Sequence, residues 1–164
     1  MILYHGTTLE IRQPVIVRSE IGRDFGFAFY TTDIEEQARR WARRRARMLS
    51  RRSGRAEAAV VNVYAWHEDA GLAVRRFDGA SLEWLDMVVR CRRDPGHRHG
   101  YDVVIGKIAN DNVGETVSFV AQGIMRREDA LERLRFERIN NQIALCSEAA
   151  LATLVFQRSF VVED

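Results

Sequence analysis

The change of hydrophobic period at Asp33 limits the possible folds of this chain more than any other sequence feature. Residues 25–32, Phe-Gly-Phe-Ala-Phe-Tyr-Thr-Thr, form a glycine-punctuated aromatic run, which predicts a strand ending in a polar turn. From Asp33 onward, apolar residues recur every three or four positions, which predicts an amphipathic helix of about five turns. Asp33 and Glu36 have the spacing of a capping box, so we expect the helix to begin there. The fold must therefore place a strand directly before a long helix.

The remaining predicted elements follow in an irregular order. Further strands are predicted at 2–5, 58–66, 73–77, 101–108, 141–146 and 154–162. Helices are predicted at 81–91 and 127–136, with a single capped turn at 147–151, whereas 115–125 fits either a helix or a strand. Because strands and helices do not alternate regularly, the pattern favours an α+β fold over a doubly wound parallel sheet. With 164 residues and 46% hydrophobic content, the chain is predicted to form one domain over 1–164.

Cysteine content and the distribution of apolar residues favour a cytoplasmic protein without membrane contact. No run approaches about 20 consecutive apolar residues, and the start of the chain lacks a basic segment followed by an apolar one. Cys91 and Cys146 are the only cysteines, and they fall in a predicted helix and a predicted strand, so we expect free thiols. His97 and His99 lack a third ligand nearby in the sequence, so no metal site is predicted.

Three motifs, taken in order along the chain, resemble those of a known superfamily. The first is Tyr4-His5-Gly6-Thr7, at the end of the first strand. The second is the run at 25–32, and the third is the strand and turn at 141–148. Together they resemble the NAD-binding and catalytic motifs of the ADP-ribosyltransferase superfamily, with its PARP-like and diphtheria-toxin-like members. The order of the sequence blocks is also similar to a bacterial family of uncharacterised transferase-like domains that are often suspected toxins. This resemblance implies split mixed and antiparallel sheets flanked by helices.

The resemblance implies NAD-binding roles for the first two motifs and the helix that follows. His5 would bond the adenosine ribose, the backbone of Gly6 would meet the nicotinamide amide, and Thr7 would reach a ribose hydroxyl. Tyr30 matches the tyrosine that stacks on nicotinamide, and Trp41 matches the second aromatic wall. The implied NAD-binding set is His5, Gly6, Thr7, Phe25, Gly26, Phe29, Tyr30 and Trp41. Apart from the resemblance, aromatic residues at this spacing would be expected in the core.

The predicted catalytic strand departs from the family at its central residue. Family members carry a glutamate there that stabilises a cation-like ribosyl transition state, whereas this chain has Gln142. Glutamine can accept a hydrogen bond from a ribose hydroxyl but cannot act as a general base. In one reading, the acceptor needs little activation. In a second reading, a carboxylate supplies the base, with Asp111 ahead of Glu137 and Glu148. In a third reading, the domain binds NAD without catalysis. The predicted catalytic residues are Gln142, Tyr30 and Asp111.

The expected function is that of an NAD-dependent mono-ADP-ribosyltransferase acting as an intracellular toxin or defence effector, with a neutralising antitoxin protein as an implied partner. Most arginines at 39–55 are expected to form a solvated helix face, but their number favours nucleic acid slightly over protein as the target. Arg51, Arg52 and Arg55 are the better candidates for target contacts, while Arg12, Arg18 and Arg23 could hold the pyrophosphate. The alternatives are a non-catalytic NAD- or nucleic-acid-binding module, an NAD glycohydrolase and an RNA 2′-phosphotransferase-like enzyme.

Overall fold

A computed structural model of the chain describes residues 1–108, 111–134 and 140–163, with the backbone alone for 107, 108, 111, 112 and 140. Antiparallel and mixed sheets are flanked by helices, which confirms the α+β class. The elements in chain order are β1 (Ile2–Thr7), β2 (Phe29–Thr31), α1 (Glu35–Ser53), β3 (Val60–Trp66), β4 (Val74–Arg76), α2 (Leu82–Arg93), β5 (Val103–Ile108), α3 (Asp111–Ala121), α4 (Arg127–Leu134), β6 (Asn140–Leu145), α5 (Glu148–Leu151) and β7 (Leu154–Val161).

The strands form two sheets, which share a hydrophobic cluster and are joined by backbone hydrogen bonds at one bridge among the described residues. The first sheet has the strand order β1-β3-β7 and is antiparallel, and the second has the order β2-β6-β5-β4, in which only β4 and β5 are parallel. The N–H of Tyr4 donates to the carbonyl of Thr32 at 2.8 Å, and the N–H of Thr32 donates to the carbonyl of Tyr4 at 3.0 Å. In the described part of the chain, β1 and β2 pair nowhere else. The sheets therefore part on either side of this bridge.

Helix α1 packs on the three-stranded sheet through its smallest side chains. Ala38, Ala42 and Ala46 are buried and belong to a core cluster with Val61. Gly6 of β1 lies directly under the helix, because a Cβ at this position would be 2.1 Å from the carbonyl oxygen of Ala38. This close contact between two backbones fixes the position of α1 beside the parting of the sheets.

Helices α2, α3 and α4 pack together and bury the core of the four-stranded sheet. Trp84, Leu85 and Val88 of α2 are fully buried in the largest hydrophobic cluster. Ser81 caps α2 by accepting a hydrogen bond from the N–H of Trp84 at 3.1 Å, and Ser147 caps α5 in the same way. Both caps and the positions of α2 and α5 were predicted by the sequence.

Three local predictions need correction or completion. The capping box at the start of α1 is wrong, because the N-cap is Ile34 and its N–H bonds the hydroxyl of Thr32 at 3.1 Å. The strand predicted at 25–32 is confined to Phe29–Thr31, since the backbone turns at Gly26 with φ 75°. The ambiguous segment 115–125 is helical over most of its length, as part of α3.

Both cysteines are free, as predicted. Burial raises the pKa of Cys91 to about 11, so this thiol stays protonated near neutral pH and is a poor nucleophile. Within the residues described, no helix combines the length and apolar content needed to cross a membrane.

Candidate functional site

A cavity of about 400 Å³ opens where the two sheets part. Strands from both sheets, the segment before β2, and helices α1 and α2 contribute to its wall. The lining residues are His5, Gly6, Gly22, Arg23, Asp24, Tyr30, Trp41, Arg44, Arg45, Met48, Arg92 and Gln142. Its size and its mixture of aromatic, charged and amide groups are typical of a small-molecule site.

Gly6 offers the cavity its backbone and not a side chain. Backbone groups of alternate strand residues point to the same edge, so the N–H and C=O of Gly6 face the same side as those of Tyr4. Tyr4 uses that side to bond Thr32, and β2 pairs with β1 at no later residue in the described chain. Gly6 therefore presents a donor and an acceptor at the open edge of β1. The absence of a Cβ serves the contact with α1, a second requirement for glycine that the sequence did not reveal.

His5 is held in a defined neutral form. Its Nδ1 lies 2.7 Å from the carbonyl oxygen of Tyr30, which can only accept, so Nδ1 carries the proton. Burial lowers the pKa of His5, the hydrogen bond to Tyr30 opposes that shift, and the charge of Arg45 adds to it. The ring also packs 4.4 Å from the ring of Phe29. Nε2 of the neutral imidazole consequently holds a lone pair and can accept a hydrogen bond.

Tyr30 lines the cavity, but its hydroxyl is used in the structure of the preceding turn. The hydroxyl donates to the carbonyl of Gly26 at 2.6 Å and accepts from the N–H of Phe25 at 3.2 Å. Burial raises the pKa of Tyr30 far above its usual value, so the phenol stays neutral. Its ring is therefore available as a wall, whereas the geometry gives its oxygen no acid-base role.

One side of α1 forms a wall of the cavity. Four residues spaced by about one helical turn line the cavity, namely Trp41, Arg44, Arg45 and Met48. The buried alanines of α1 lie on a neighbouring face of the helix and pack on the sheet. Trp41 is only partly buried, so its ring is accessible to a ligand. The sequence predicted Trp41 in this role but not its neighbours, which helical spacing from Trp41 could have identified.

Gln142 brings an unsatisfied acceptor to the cavity. It lies on β6 opposite Gly106 of β5 and is 8% exposed, and its Oε1 is buried with no hydrogen-bond partner in the described structure. Gln37 has the same deficiency at Oε1, but its amide nitrogen bonds the carbonyl of Asn141 at 2.7 Å and it does not line the cavity. An unpaired buried acceptor costs about 1–3 kcal/mol. Gln142 is thus the residue whose bonding a ligand in this cavity would complete.

The cavity is positively charged. Among its described lining residues are Arg23, Arg44, Arg45 and Arg92, against the one carboxylate of Asp24. Asp24 is buried and its Oδ1 accepts from Nε of Arg92 at 2.7 Å and lies 2.6 Å from Nη2. Arg23 and Arg45 form no ion pair with any residue that the structure describes. The sequence had suggested Arg23 near a pyrophosphate but gave no signal for Arg92, which reaches the site from the end of α2.

Several predicted site residues lie elsewhere. Phe25 and Phe29 are buried in two different hydrophobic clusters, and neither they nor Gly26 and Thr7 line the cavity. Packing accounts for Phe25 and Phe29, and the turn that holds Tyr30 accounts for Gly26. The resemblance had grouped all four with the NAD-binding residues.

Of the three predicted carboxylates, only Glu148 has a side chain that the structure describes. Asp111 was expected in a polar loop, but its backbone begins α3, and its side chain lies outside the described part of the structure. Glu137 also lies outside the described residues. Glu148 is exposed in the first turn of α5 and does not line the cavity. Asp24 is the carboxylate that the sequence-based reasoning missed, although it stands directly before the aromatic motif.

The described residues contain no group of three or more His, Cys, Asp and Glu side chains arranged to hold a metal ion. Searches of curated proteins and of solved structures found no match to the chain. Residues 1–156 match a family model described as "Protein of unknown function (DUF3990)".

Proposed function

We propose that this chain, which belongs to the DUF3990 family of proteins of unknown function, is an NAD-dependent mono-ADP-ribosyltransferase. One observation carries the proposal. His5, Gly6, Tyr30, Trp41 and Gln142 come from four separate elements, yet all five line a single cavity. They are five of the residues to which the resemblance assigns the binding of NAD and the transfer step. If these five residues matched the family motif only by chance, nothing would require them to line the same cavity.

The polar groups of the cavity complement the nicotinamide half of NAD. The outward N–H and C=O of Gly6 match the acceptor and donor of a carboxamide, which would orient the ring between Tyr30 and Trp41. Both rings line the cavity, and offset stacking of aromatic rings contributes about 0.5–1.5 kcal/mol beyond burial. The nicotinamide would thus be held by backbone at its amide and by side chains at its faces.

The ribose hydroxyls and the pyrophosphate of NAD would bond to the other polar residues of the cavity. Nε2 of neutral His5 would accept from a hydroxyl of the adenosine ribose, and Oε1 of Gln142 from a hydroxyl of the nicotinamide ribose. The latter bond would satisfy an acceptor that is otherwise buried and unpaired. Arg23 and Arg45 carry charge without an ion pair among the described residues, and guanidinium groups suit bidentate contacts to phosphate oxygens.

The proposed reaction breaks the bond between C1′ of the ribose and the nicotinamide nitrogen. Nicotinamide leaves as a neutral molecule with the bonding electron pair, and positive charge develops on the ribose as the acceptor atom attacks C1′. The Gln142 carbonyl, bonded to the ribose hydroxyl, places its negative dipole end beside that charge. Glutamine cannot remove the acceptor's proton. Asp24 is the one carboxylate among the described lining residues, and it would have to exchange its bond to Arg92 to take this proton.

Nicotinamide release from NAD tests the proposal. We would compare the wild type with Gln142→Met and His5→Asn, and use Gln157→Met as the matched control because Gln157 is an exposed glutamine on β7. RNA, DNA and lysate protein are offered separately as acceptors. Release that requires an acceptor, fails in both site variants and persists in the control supports the transferase. Release without any acceptor would identify a glycohydrolase instead.

A second candidate function follows from Gln142 itself. An amide replaces the expected glutamate, and such a site could bind NAD without transferring ADP-ribose. NAD binding by calorimetry, combined with no release in any acceptor mixture, would favour that non-catalytic module. The proposed cellular role, an intracellular toxin or defence effector held in check by an antitoxin protein, rests on the resemblance. It predicts that expression of the wild type, but not of Gln142→Met, arrests growth of a bacterial host.

A further inference from the structure

Helix α1 carries a stripe of arginine side chains beside the cavity. Arginine occupies nine of the positions from 39 to 55, namely 39, 40, 43, 44, 45, 47, 51, 52 and 55, and no acidic residue occurs between 37 and 56. Among the described residues, Arg39 pairs with Glu35 at 2.6 Å and Arg43 with Glu36 at 3.9 Å. Arg40, Arg47 and Arg51 are exposed and form no ion pair with any described residue.

These three arginines lie on one line along the helix. At 3.6 residues per turn, positions 40, 44, 47 and 51 fall within an arc of about 60° and span about 16 Å of the helix axis. On one side of this line lie Trp41 and Met48, which line the cavity. On its other side is an open groove of about 940 Å³, whose charged lining residues are Arg43, Arg47, Arg51 and Glu57. We call the line of Arg40, Arg44, Arg47 and Arg51 the arginine ridge.

The ridge is unfavourable for the isolated protein. Solvated helix faces commonly alternate charges, because opposite charges four residues apart stabilise a helix and like charges at that spacing destabilise it. Here the like pair Arg47–Arg51 occurs with no carboxylate between its members, and neither side chain forms an ion pair with a described residue. A polyanion laid along the helix would remove this repulsion.

The chemistry of the ridge selects among polyanions. A protein partner would normally meet an apolar or aromatic interface centre, and the four ridge positions are all arginine. A helix that inserts into a membrane surface needs an exposed apolar face, but the apolar face of α1 is buried on the sheet. Phosphates spaced along a chain match a line of guanidinium groups, which bind them bidentately. A nucleotide stacked in a duplex could not enter the neighbouring cavity, so a single strand fits better.

We propose that the arginine ridge is the docking surface for single-stranded nucleic acid, whose phosphates bind Arg40, Arg47 and Arg51 while a nucleotide of the same strand reaches the cavity as acceptor. The acceptor role, and with it the choice of a single strand over a duplex, rests on the proposed function, whereas phosphate binding by the ridge does not. Each phosphate contact to a single strand adds about 0.7 to the slope of log affinity against log salt concentration. Two lost contacts lower the slope by about 1.4, which corresponds to about 25-fold weaker binding at 0.1 M salt.

The test measures binding of labelled 20-nucleotide RNA and DNA strands by fluorescence anisotropy, without NAD, between 50 and 200 mM salt. The ridge variant is Arg47→Gln/Arg51→Gln. The control variant, Arg126→Gln/Arg133→Gln, removes the same charge from exposed positions at α4. Thermal denaturation confirms that both are folded. We expect the ridge variant alone to lose about 25-fold in affinity and about 1.4 in salt slope. Equal affinity in the two variants, or equally tight binding of polyglutamate by the wild type, would overturn the inference.

Nicotinamide release then separates this inference from the proposed function. If a strand stimulates release and the ridge variant loses the stimulation while still binding NAD, both hold. If the ridge variant loses strand binding but no mixture releases nicotinamide, the docking surface stands and the transferase proposal fails. If stimulated release is the same in both variants, the transferase stands and the ridge is not its docking surface.

Discussion

Replacement of Gln142 by methionine is expected to stabilise the folded protein while removing its activity. Gln142 is 8% exposed, its Oε1 has no partner, and the described residues make no side-chain hydrogen bond to it. Methionine has a similar length and no carbonyl to desolvate, so the substitution should recover the cost of the unpaired acceptor, about 1–3 kcal/mol in the free energy of unfolding. For a chain of this size, each kcal/mol corresponds to about 2–4 °C in melting temperature.

Urea unfolding followed by circular dichroism, with and without NAD, measures this effect. The matched control Gln157→Met should stay within about 0.5 kcal/mol of the wild type, because its side chain is exposed on β7. NAD at 100 times its dissociation constant should raise the free energy of unfolding of the wild type by about 2.7 kcal/mol. The increase for Gln142→Met should be much smaller. Nicotinamide release should fall at least about 100-fold, as when one group stabilising transition-state charge is removed. A variant less stable than the wild type by 1 kcal/mol or more would show that Oε1 is satisfied in the folded protein, and the reasoning would be refuted.

Three further predictions concern the walls of the cavity. Gly6→Ala should lower the free energy of unfolding by about 1–3 kcal/mol or prevent folding, because the new Cβ would lie 2.1 Å from a backbone oxygen of α1; an unchanged melting temperature would contradict this packing. Tyr30→Phe should cost about 1–3 kcal/mol, since it leaves backbone groups of the preceding turn unpaired, yet nicotinamide release by the folded protein should remain within about tenfold of wild type. Lost release with full stability would give the phenol a chemical role. His5, whose pKa is lowered below 6.5 by burial, binds a proton more readily in the unfolded state. The contribution of His5 to the free energy of unfolding is therefore complete above about pH 6.5, and it is lost as the pH falls toward the pKa of His5 in the folded protein. The urea midpoint should drop more between pH 7 and pH 5 in the wild type than in His5→Asn, and equal drops would argue against a neutral buried His5.

The sequence predicted most local structure because helices, strands and caps depend on residues within a few positions of one another. The period of α1, the serine caps of α2 and α5, and the enrichment of β3 in valine and aromatic residues are local signals of this kind. The incorrect predictions for α1 and β2 also have local causes. The start of α1 depends on the Thr32 hydroxyl, which accepts a hydrogen bond from the N–H of Ile34, and the short length of β2 follows from the turn at Gly26.

The site was only partly accessible from sequence. Motif resemblance selected His5, Gly6, Tyr30, Trp41 and Gln142, and these residues do line one cavity. The same motif also included Phe25 and Phe29, which the core requires. A linear motif cannot separate residues kept for packing from residues kept for a ligand, because both are held at fixed spacing by the same strands.

What the sequence alone determined is the set of elements, the α+β class and the motif residues that face the parting of the sheets. Tertiary structure decided which polar atoms remain unpaired there, which charges meet, and which side of α1 borders the cavity. Arg92 reaches Asp24 from α2, and Gln142 loses its hydrogen-bonding water when β6 is buried. Such properties depend on desolvation and on distances between residues far apart in the chain, and only the assembled sheets and helices fix both.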